Sequence, residues 1–371
     1  MIMSRHIPAV CRQRGLTLVE TMVALVIGLV LMAGIIELFI GSKQTYTLQE
    51  AMARVQENGR FAVDQLNWDL RMAGHMGCAN ARVMEAEVTP PPTTFIKTGR
   101  IRVALVTNPG DNTWGLANPV EGSFWDGAGW TPALPAAAAA ALPGSDTLTL
   151  RKVSGRRLPL TGLNPGAPEG SGSAPLSIVA NSGLRQFDIV MVGDCVNAAI
   201  FQITSDDATI AAGQLDHDVG AGVPGNVTVN LGKDFAPNAN AGIMAMTSYT
   251  YFIAPGASGA PALFQSADGA VAQELVENVE RMRVTYGVGV PDGNGNLVPT
   301  GYQTADTIAA AGIWRDVISV RISLLLRSDN NVTDTAQPYT YTHDTGVEVL
   351  PADRRLRQVF TTTIGLRSWL P

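Results

Sequence analysis

The feature that most constrains this chain is a long apolar segment close to its N-terminus. Sixteen uncharged and mostly apolar residues separate Glu20 from Glu37, and the whole segment extends from Leu16 to Ile40. As a helix that rises 1.5 Å per residue, it would be roughly 37 Å long, which is enough to cross a bilayer. The sequence therefore predicts a membrane-spanning helix over residues 16–40.

Basic residues lie on only one side of this segment. Residues 1–15 contain three arginines and no acidic residue, and the first base after the segment is Lys43. Because basic residues beside a membrane span are retained in the cytoplasm, we expect residues 1–15 on the cytoplasmic side. The large remainder of the chain, which is acidic, is then expected on the opposite side.

Three simpler explanations of the segment compete with a specialised role. A secretory signal peptide has a shorter apolar core that ends at a small-residue cleavage site, and no such site follows here. A plain signal anchor fits the hydropathy but leaves Glu20 unexplained, because a carboxylate inside the apolar edge is costly without a partner. A buried helix of a soluble protein does not account for the flanking arginines. Glu20 is therefore a candidate functional residue.

The residues around Glu20 resemble a known processing signal. Gly15-Leu16-Thr17-Leu18-Val19-Glu20 follows a short basic leader and resembles the class III signal of type IV pilins and type II secretion pseudopilins. The resemblance implies that a prepilin peptidase cleaves after Gly15 and N-methylates Leu16, although the first mature residue in the family is most often Phe. Glu20 would be the fifth mature residue, placed to neutralise the new α-amino group of a neighbouring subunit inside the lipid.

The helix is predicted to continue beyond the membrane segment. Pro is absent from Leu16 to Val88, so one helix of about 60 residues and roughly 90 Å is expected. Its second part, residues 41–76, is amphipathic and is predicted to lie against a globular head. Apolar residues recur there at intervals of three, four or seven, namely Leu48, Met52, Val55, Ala62, Leu66 and Leu70.

The rest of the chain, residues 77–371, is predicted to form a β-rich head. Its short apolar runs are separated by Gly, Pro, Asn and Asp, which favours an α+β fold with largely antiparallel pairing. Residues 318–324 alternate between apolar and polar, which predicts a strand with one buried face and one solvent-exposed face. Gly155–Pro175 is predicted as a surface loop. The predicted strands are Ile101–Thr107, Thr147–Lys152, Asp188–Val192, Ala199–Thr204, Val227–Leu231, Met244–Ile253, Arg283–Val288, Val317–Leu326 and Val359–Leu366.

Several segments resemble the PilW group of minor pilins. They are residues 42–78, 188–195, 317–328 and 354–369. The resemblance implies a low-abundance subunit that primes pilus assembly at or near the tip. It implies an inner-membrane location before assembly, with the head in the periplasm, and a cell-surface pilus afterwards. The implied partners are the prepilin peptidase, other minor pilins and the major pilin, with a tip adhesin as a further candidate.

Two other function classes remain open. A type II secretion pseudopilin carries the same signal but builds a periplasmic piston instead of a surface fibre. A membrane-anchored enzyme or binding protein would use the helix only as an anchor. No HExxH, GxSxG or P-loop motif occurs, so the chain is predicted not to be an enzyme and to need no cofactor. The net charge of −6 and the lack of Lys or Arg runs argue against a nucleic-acid partner.

The three cysteines lie on different sides of the predicted membrane span. Cys11 precedes the span, whereas Cys78 and Cys195 follow it. In an oxidising compartment Cys78 and Cys195 are predicted to form a disulfide, and two unpaired buried thiols are the alternative.

Two segments contain residue types that bind metals. Asp292, Asn294 and Asn296 place oxygen ligands at alternate positions, like the start of a calcium loop. The twelfth position is Gln303 instead of the required Glu, and a hairpin turn explains the same residues. The Asp-His-Asp sequence at 216–218 is better explained as a solvated loop. No metal is therefore predicted, and the calcium loop stays a weak candidate.

Overall fold

The computed structural model describes residues 17–77, 84–85, 101–103, 116, 118–163, 174–220, 222–237, 240–292 and 297–367. These residues form a long N-terminal helix and a head built mainly of antiparallel strands. The predicted α+β class is therefore confirmed.

The described residues contain three α-helices and eighteen strands. The helices are α1 (Leu18–Arg71), α2 (Asp207–Ala211) and α3 (Ala305–Ala311). The strands are β1 (Met84–Glu85), β2 (Ile101–Val103), β3 (Val120–Trp125), β4 (Trp130–Thr131), β5 (Thr147–Leu163), β6 (Leu176–Ile178), β7 (Ile189–Gly193), β8 (Ala198–Gln202), β9 (Gln214–Leu215), β10 (Gly242–Pro255), β11 (Pro261–Ala267), β12 (Gln273–Glu277), β13 (Val279–Pro291), β14 (Leu297–Gln303), β15 (Val317–Arg327), β16 (Gln337–His343), β17 (Gly346–Asp353) and β18 (Arg357–Gly365).

One predicted strand and one predicted loop were wrong. Val227–Leu231 forms no strand, whereas each of the other predicted strands overlaps an observed one. The predicted loop Gly155–Pro175 begins as a strand, because β5 continues to Leu163 by pairing with β10 and then with β6. Cross-strand hydrogen bonds therefore outweigh the turn-like composition of this segment.

The strands form three sheets. The largest has twelve strands, eight of which follow the order β1-β2-β8-β7-β10-β5-β3-β4, with β11 and β12 joined to β10 and with β6 and β9 joined to β5. The second has the order β14-β13-β15-β18, and β16 pairs with β17 in the third. Helix α1 lies mainly against β18 and β15 and also touches β12. The main core is enclosed by α1, the largest sheet and the four-stranded sheet.

A second core lies behind the largest sheet. Along β7, Ile189 and Met191 face the main core, while Val190 and Val192 face the second one. Because both faces are covered, the apolar run of β7 is continuous instead of alternating.

Strand β15 also has both faces covered, contrary to the prediction of one wet face. The β16–β17 hairpin lies over the face that carries its polar residues. Tyr341 of this hairpin is fully buried, and its hydroxyl donates to the carbonyl oxygen of Ser323 at 2.9 Å. Leu325 and Leu350 complete this small apolar cluster. The alternating pattern of the strand gave no sign of the separate hairpin that covers it.

The second half of α1 packs on the head along one face. The buried positions Val55, Gly59, Ala62, Leu66 and Leu70 follow the helical repeat and match most of the predicted apolar stripe. Two predicted stripe residues, Leu48 and Met52, are instead 38% and 46% exposed. The stripe is therefore buried only from Val55 onward.

A buried carboxylate fixes the end of α1 to the largest sheet. Asp69 is only 4% exposed, and it accepts hydrogen bonds from four side chains on four elements. The donors are Gln65 of α1, Lys152 of β5, Tyr251 of β10 and Gln265 of β11. Burial and the adjacent carboxylate of Asp69 raise the pKa of Tyr251, which keeps its hydroxyl protonated as a donor. We call these five residues the Asp69 cluster.

Gly59 allows α1 to approach β18 closely. A Cβ atom on Gly59 would lie 2.3 Å from two ring carbons of Phe360. By contrast, a Cβ atom on Gly28, Gly34 or Gly41 would meet nothing within 4 Å. Of these four helix glycines, only Gly59 is therefore required by packing against the head.

We expect Gly59→Ala to destabilise the protein although Ala is the better helix former. Displacing the Phe360 ring should cost about 1–3 kcal/mol, offset by about 1 kcal/mol of helix propensity. Gly41→Ala is the matched control and should leave the melting temperature unchanged or raise it. Thermal unfolding of the detergent-solubilised chain, followed by circular dichroism, measures both. Equal melting temperatures for the two variants would contradict the packing role.

We expect Asp69→Asn to lower the free energy of unfolding by about 3 kcal/mol. The change leaves the ammonium group of Lys152 buried beside a neutral amide, and breaking a buried ion pair is strongly destabilising. Asp64→Asn, on the exposed face of the same helix, should change it by less than about 0.5 kcal/mol. Urea unfolding in mild detergent, read by tryptophan fluorescence, compares them, and similar losses would rule out a special role for Asp69.

Candidate functional site

The first half of α1 is an apolar surface that the head leaves uncovered. Every residue from Leu18 to Ile40 is exposed. The most apolar stretch of 18 residues has a mean hydropathy of 2.8 and contains no buried residue. An apolar surface of this size is not stable in water, so it requires lipid or the helices of other proteins. The helix is also long enough to cross a bilayer.

A side-chain cap begins α1 immediately before this surface. Thr17 has an extended backbone, with φ −75° and ψ 150°, and its Oγ1 accepts a hydrogen bond from the backbone N–H of Glu20 at 3.3 Å. Thr-x-x-Glu is the spacing of a capping box. The carboxylate of Glu20 also lies in the first helical turn, where the helix dipole favours negative charge. Sequence reasoning missed this cap, although its spacing was visible.

The predicted processing residues lie just outside this cap. Gly15 and Leu16 are not among the described residues, whereas Glu20 is described and exposed. The structure therefore gives the position of the predicted acid on the helix, and the cleavage and methylation stay predictions.

Cys195 lies in the turn between β7 and β8. It is exposed, its φ is +67°, and it is disulfide-bonded. Asp194 stabilises the turn by accepting from the N–H groups of Val196 and Asn197 at 3.0 and 2.8 Å. Cys78 and Cys11 lie outside the described residues, so the Cys78–Cys195 pairing stays a prediction.

Gly77, the residue before Cys78, lies close to the strand that leads into this turn. A Cβ atom on Gly77 would contact the side chains of Met191 in β7 and Met244 in β10.

The weak calcium candidate falls mostly outside the described residues. Asn294 and Asn296 are not described, and Asp292 lies between β13 and β14. The pairing of Pro291 with Leu297 makes this connection a hairpin, as the alternative explanation requires. No group of three or more His, Cys, Asp or Glu side chains suited to a metal occurs in the described part of the chain.

His217 is a buried histidine, so the prediction of a solvated loop was wrong. It is 3% exposed, its Nε2 lies 3.1 Å from the carbonyl oxygen of Ala174, and its ring lies against Phe201. Burial lowers its pKa and favours the neutral ring. The pairing of β9 with β6 brings this segment against the second core, which composition alone did not indicate.

Two protein families match the chain. The prokaryotic N-terminal methylation motif matches residues 11–36, which include the predicted cleavage site and Glu20. The type IV pilus-assembly protein W family, PilW, matches residues 250–368, from within β10 to just after β18. The two matches support a minor pilin that takes part in type IV pilus assembly.

One similar solved structure is a type IV-like pilin from Thermus thermophilus. It is 18% identical, and the similarity covers 34% of this chain and 67% of that chain with a TM-score of 0.20. No curated protein matches the sequence.

Proposed function

We propose that the chain is a precursor whose mature form, beginning at Leu16, is inserted through α1 into a type IV pilus. The observation that carries this proposal is the contrast between the two halves of α1. Leu18–Ile40 is mostly apolar and exposed, whereas one face of Val55–Leu70 packs on the head and is held there by Asp69. Such a helix is suited to lie first in lipid and then among other helices, while the head stays folded.

The finer role is that of a subunit that primes assembly at or near the pilus tip. The match to a pilus-assembly family favours a pilus over a secretion piston. Before assembly the chain would cross the inner membrane once, with residues 1–15 in the cytoplasm and the head in the periplasm. Its partners would be the prepilin peptidase, the other minor pilins and the major pilin.

Cleavage after Gly15 would explain why residue 20 is acidic. The new α-ammonium group at Leu16 would lie next to the helix N-terminus, where the helix dipole opposes positive charge. In lipid no water solvates that group, so a carboxylate one helical turn away stabilises it. The carboxylate of Glu20 is proposed to pair with the α-ammonium group of a neighbouring subunit during docking.

The disulfide is proposed to join Cys78 to Cys195. It would tie the chain just after α1 to the turn between β7 and β8 and close a loop of more than one hundred residues. In the chain-entropy description such a loop contributes about 4–5 kcal/mol.

The proposed function is tested by mass spectrometry of the N-terminal peptide. We expect a chain that begins at Leu16 and carries one additional methyl group when the prepilin peptidase is present, and an uncut chain when it is absent. A chain that keeps residues 1–15 in both cases would be an ordinary membrane anchor.

The proposed disulfide is tested by the same digest without reductant. It should yield a peptide in which Cys78 is linked to Cys195, and free Cys78 would disprove that pairing.

The charge of Glu20 is separated from its helix-capping role by two substitutions. Glu20→Gln keeps a residue that suits a capping box and removes the charge, while Glu20→Ala removes both. We expect both variants to be cleaved normally and to enter sheared pili at least about tenfold less than the wild type, because an unpaired ammonium in lipid costs about 3 kcal/mol.

Thr17→Ala is the control for this comparison. It removes the Oγ1 cap but leaves the carboxylate of Glu20, so incorporation should be near normal. Immunoblots of the sheared pilus and membrane fractions measure the ratio. Normal incorporation of Glu20→Gln together with a defect in Glu20→Ala would assign Glu20 to capping only.

A further inference from the structure

A cavity of about 460 Å³ lies in the head between the start of β7 and the end of β11. Its walls are formed by the residues that lead into β7, by residues 245–247 of β10, by Val223 and by Asp268, which follows β11. None of the lining residues belongs to α1. A volume of several hundred Å³ is typical of cavities that bind a ligand or an inserted side chain. We call it the β7 cavity.

Two carboxylates line the β7 cavity. Oδ2 of Asp188 accepts a hydrogen bond from the backbone N–H of Arg185 at 2.8 Å, and Oδ1 of Asp268 accepts one from the backbone N–H of Ser248 at 2.7 Å. Neither carboxylate forms an ion pair with any described residue. Because like charges close together repel, a cationic group between the two carboxylates would stabilise both.

The pKa values of these two acids agree with that arrangement. Burial of the carboxyl group and the nearby charge of Asp188 raise the pKa of Asp268 to about 6. Burial also raises the pKa of Asp188, although the charge of Arg185 opposes this shift. The ionised forms of both acids are therefore incompletely compensated by the head itself.

Phe187 has an unfavourable backbone conformation beside these acids. Its φ is +71°, which is rare for a bulky residue. The residue is nevertheless 45% exposed, so burial in a core does not explain why an aromatic side chain stands there. A Cβ atom on Gly222 would lie 2.7 Å from Cδ1 of Phe187, so the edge of the ring rests on that glycine. An exposed aromatic residue that is kept in a strained conformation suggests a binding role.

A buried amide holds the edge of the β7 cavity in this shape. Gln202 is 1% exposed, and its Nε2 donates to the carbonyl oxygens of Phe187 and Val223, each at 2.9 Å. Its Oε1 accepts from the backbone N–H of Gly225 at 2.9 Å. One side chain therefore joins the turn before β7 to the loop that carries Val223. A surface that is fixed in this way loses little conformational entropy when a partner binds.

Apolar side chains surround the two carboxylates. Val223 is 77% exposed, and Val271, three residues after Asp268, is 93% exposed. Together with Phe187 they lie on three separate connections of the head. Exposed apolar groups around a cavity mark a surface for another protein, because a small cation would leave them uncovered.

The groups in the β7 cavity favour arginine as the inserted cation. A guanidinium carries five N–H donors in one plane, so it can bond two carboxylates at once, and it also stacks on aromatic rings. The cavity offers both kinds of partner in the carboxylates of Asp188 and Asp268 and in the ring of Phe187. A lysine ammonium would pair with the carboxylates but lacks the planar face that stacks on the ring.

We propose that the β7 cavity docks another protein by receiving one of its arginine side chains between Asp188 and Asp268. The apolar surface around that arginine covers Phe187, Val223 and Val271. The inference goes beyond the proposed function, which concerns α1 and not this surface of the head.

Photo-cross-linking in cells that assemble pili tests the location. The full chain carries benzoylphenylalanine in place of Val223, at the cavity, or in place of Val347, which is 62% exposed on the β16–β17 hairpin. We expect the Val223 probe to give an adduct whose partner peptide, identified by mass spectrometry, has an arginine beside the cross-linked residue. No adduct above the Val347 control, or an adduct to lipid, to a second copy of this chain or to a peptide without arginine, would overturn the proposal.

The two carboxylates are tested by combining Asp188→Asn with Asp268→Asn. Asn keeps an oxygen that can accept the two backbone hydrogen bonds, and the change removes the repulsion, so the melting temperature should stay the same or rise. The yield of the Val223 adduct should fall at least about tenfold, because two charge-assisted hydrogen bonds are lost. Asp334→Asn, at an exposed position outside the cavity, is the matched control and should leave the yield unchanged. An unchanged adduct in the double variant would overturn recognition by the carboxylates.

The ring of Phe187 is tested by Phe187→Gly. Glycine suits the φ at this position, so the variant should be at least as stable as the wild type to heat, while the adduct should fall about fivefold. Asn181→Gly is the matched control, since Asn181 is exposed, has a φ of +56° and lies outside the cavity. An unchanged adduct in Phe187→Gly would overturn the role of the ring.

The preference for arginine is tested in the partner. Replacing the identified arginine by lysine keeps the charge, and we expect the adduct to fall about as far as in Phe187→Gly, because the stacking on the ring is lost. An equal yield would show that charge alone is recognised and would overturn the assignment to arginine. None of these measurements depends on cleavage after Gly15, so their failure would leave the proposed function intact.

Discussion

The arrangement of this protein depends on how the head holds one end of a single long helix. Asp69 brings side chains from α1, β5, β10 and β11 to one buried carboxylate. A buried carboxylate and ammonium are unfavourable unless each is paired and hydrogen-bonded, so these elements must meet in one geometry. Together with the Phe360 ring over Gly59, this fixes the direction in which α1 leaves the head. The exposed apolar half of α1 therefore projects from a defined base.

The sequence predicted the parts of the structure that depend on local pattern. The apolar run Leu16–Ile40 allowed a long exposed helix to be predicted, and most of the strands followed from short apolar runs between turn residues. The prediction of a buried stripe was wrong at Leu48 and Met52. Helical periodicity shows which face of the helix is apolar, but it does not show how far the head extends along that face. The prediction of a solvent-exposed face on β15 was wrong for a similar reason, because a separate hairpin covers the polar face of that strand.

The candidate site was less predictable than the fold. Glu20 stood out because an acid is rare in an apolar run, but its capping partner Thr17 was missed. Asp69 gave no signal, because its four donors come from positions as distant in sequence as Gln65 and Gln265 and meet only through the sheet topology. Local pattern identifies membrane and processing features, whereas long-range contacts form the Asp69 cluster that holds α1 on the head.

The family match and the contacts of α1 concern the same part of the head. Residues 250–368 include β15 and β18, on which α1 rests. The second core draws mainly on β6 to β9, which precede the matched region. Under the proposed function, the matched strands hold the second half of α1 on the head. During assembly the exposed half of α1 would then exchange lipid for protein. The packing of the other half on the head would not change, because the Asp69 cluster lies at the opposite end of the helix.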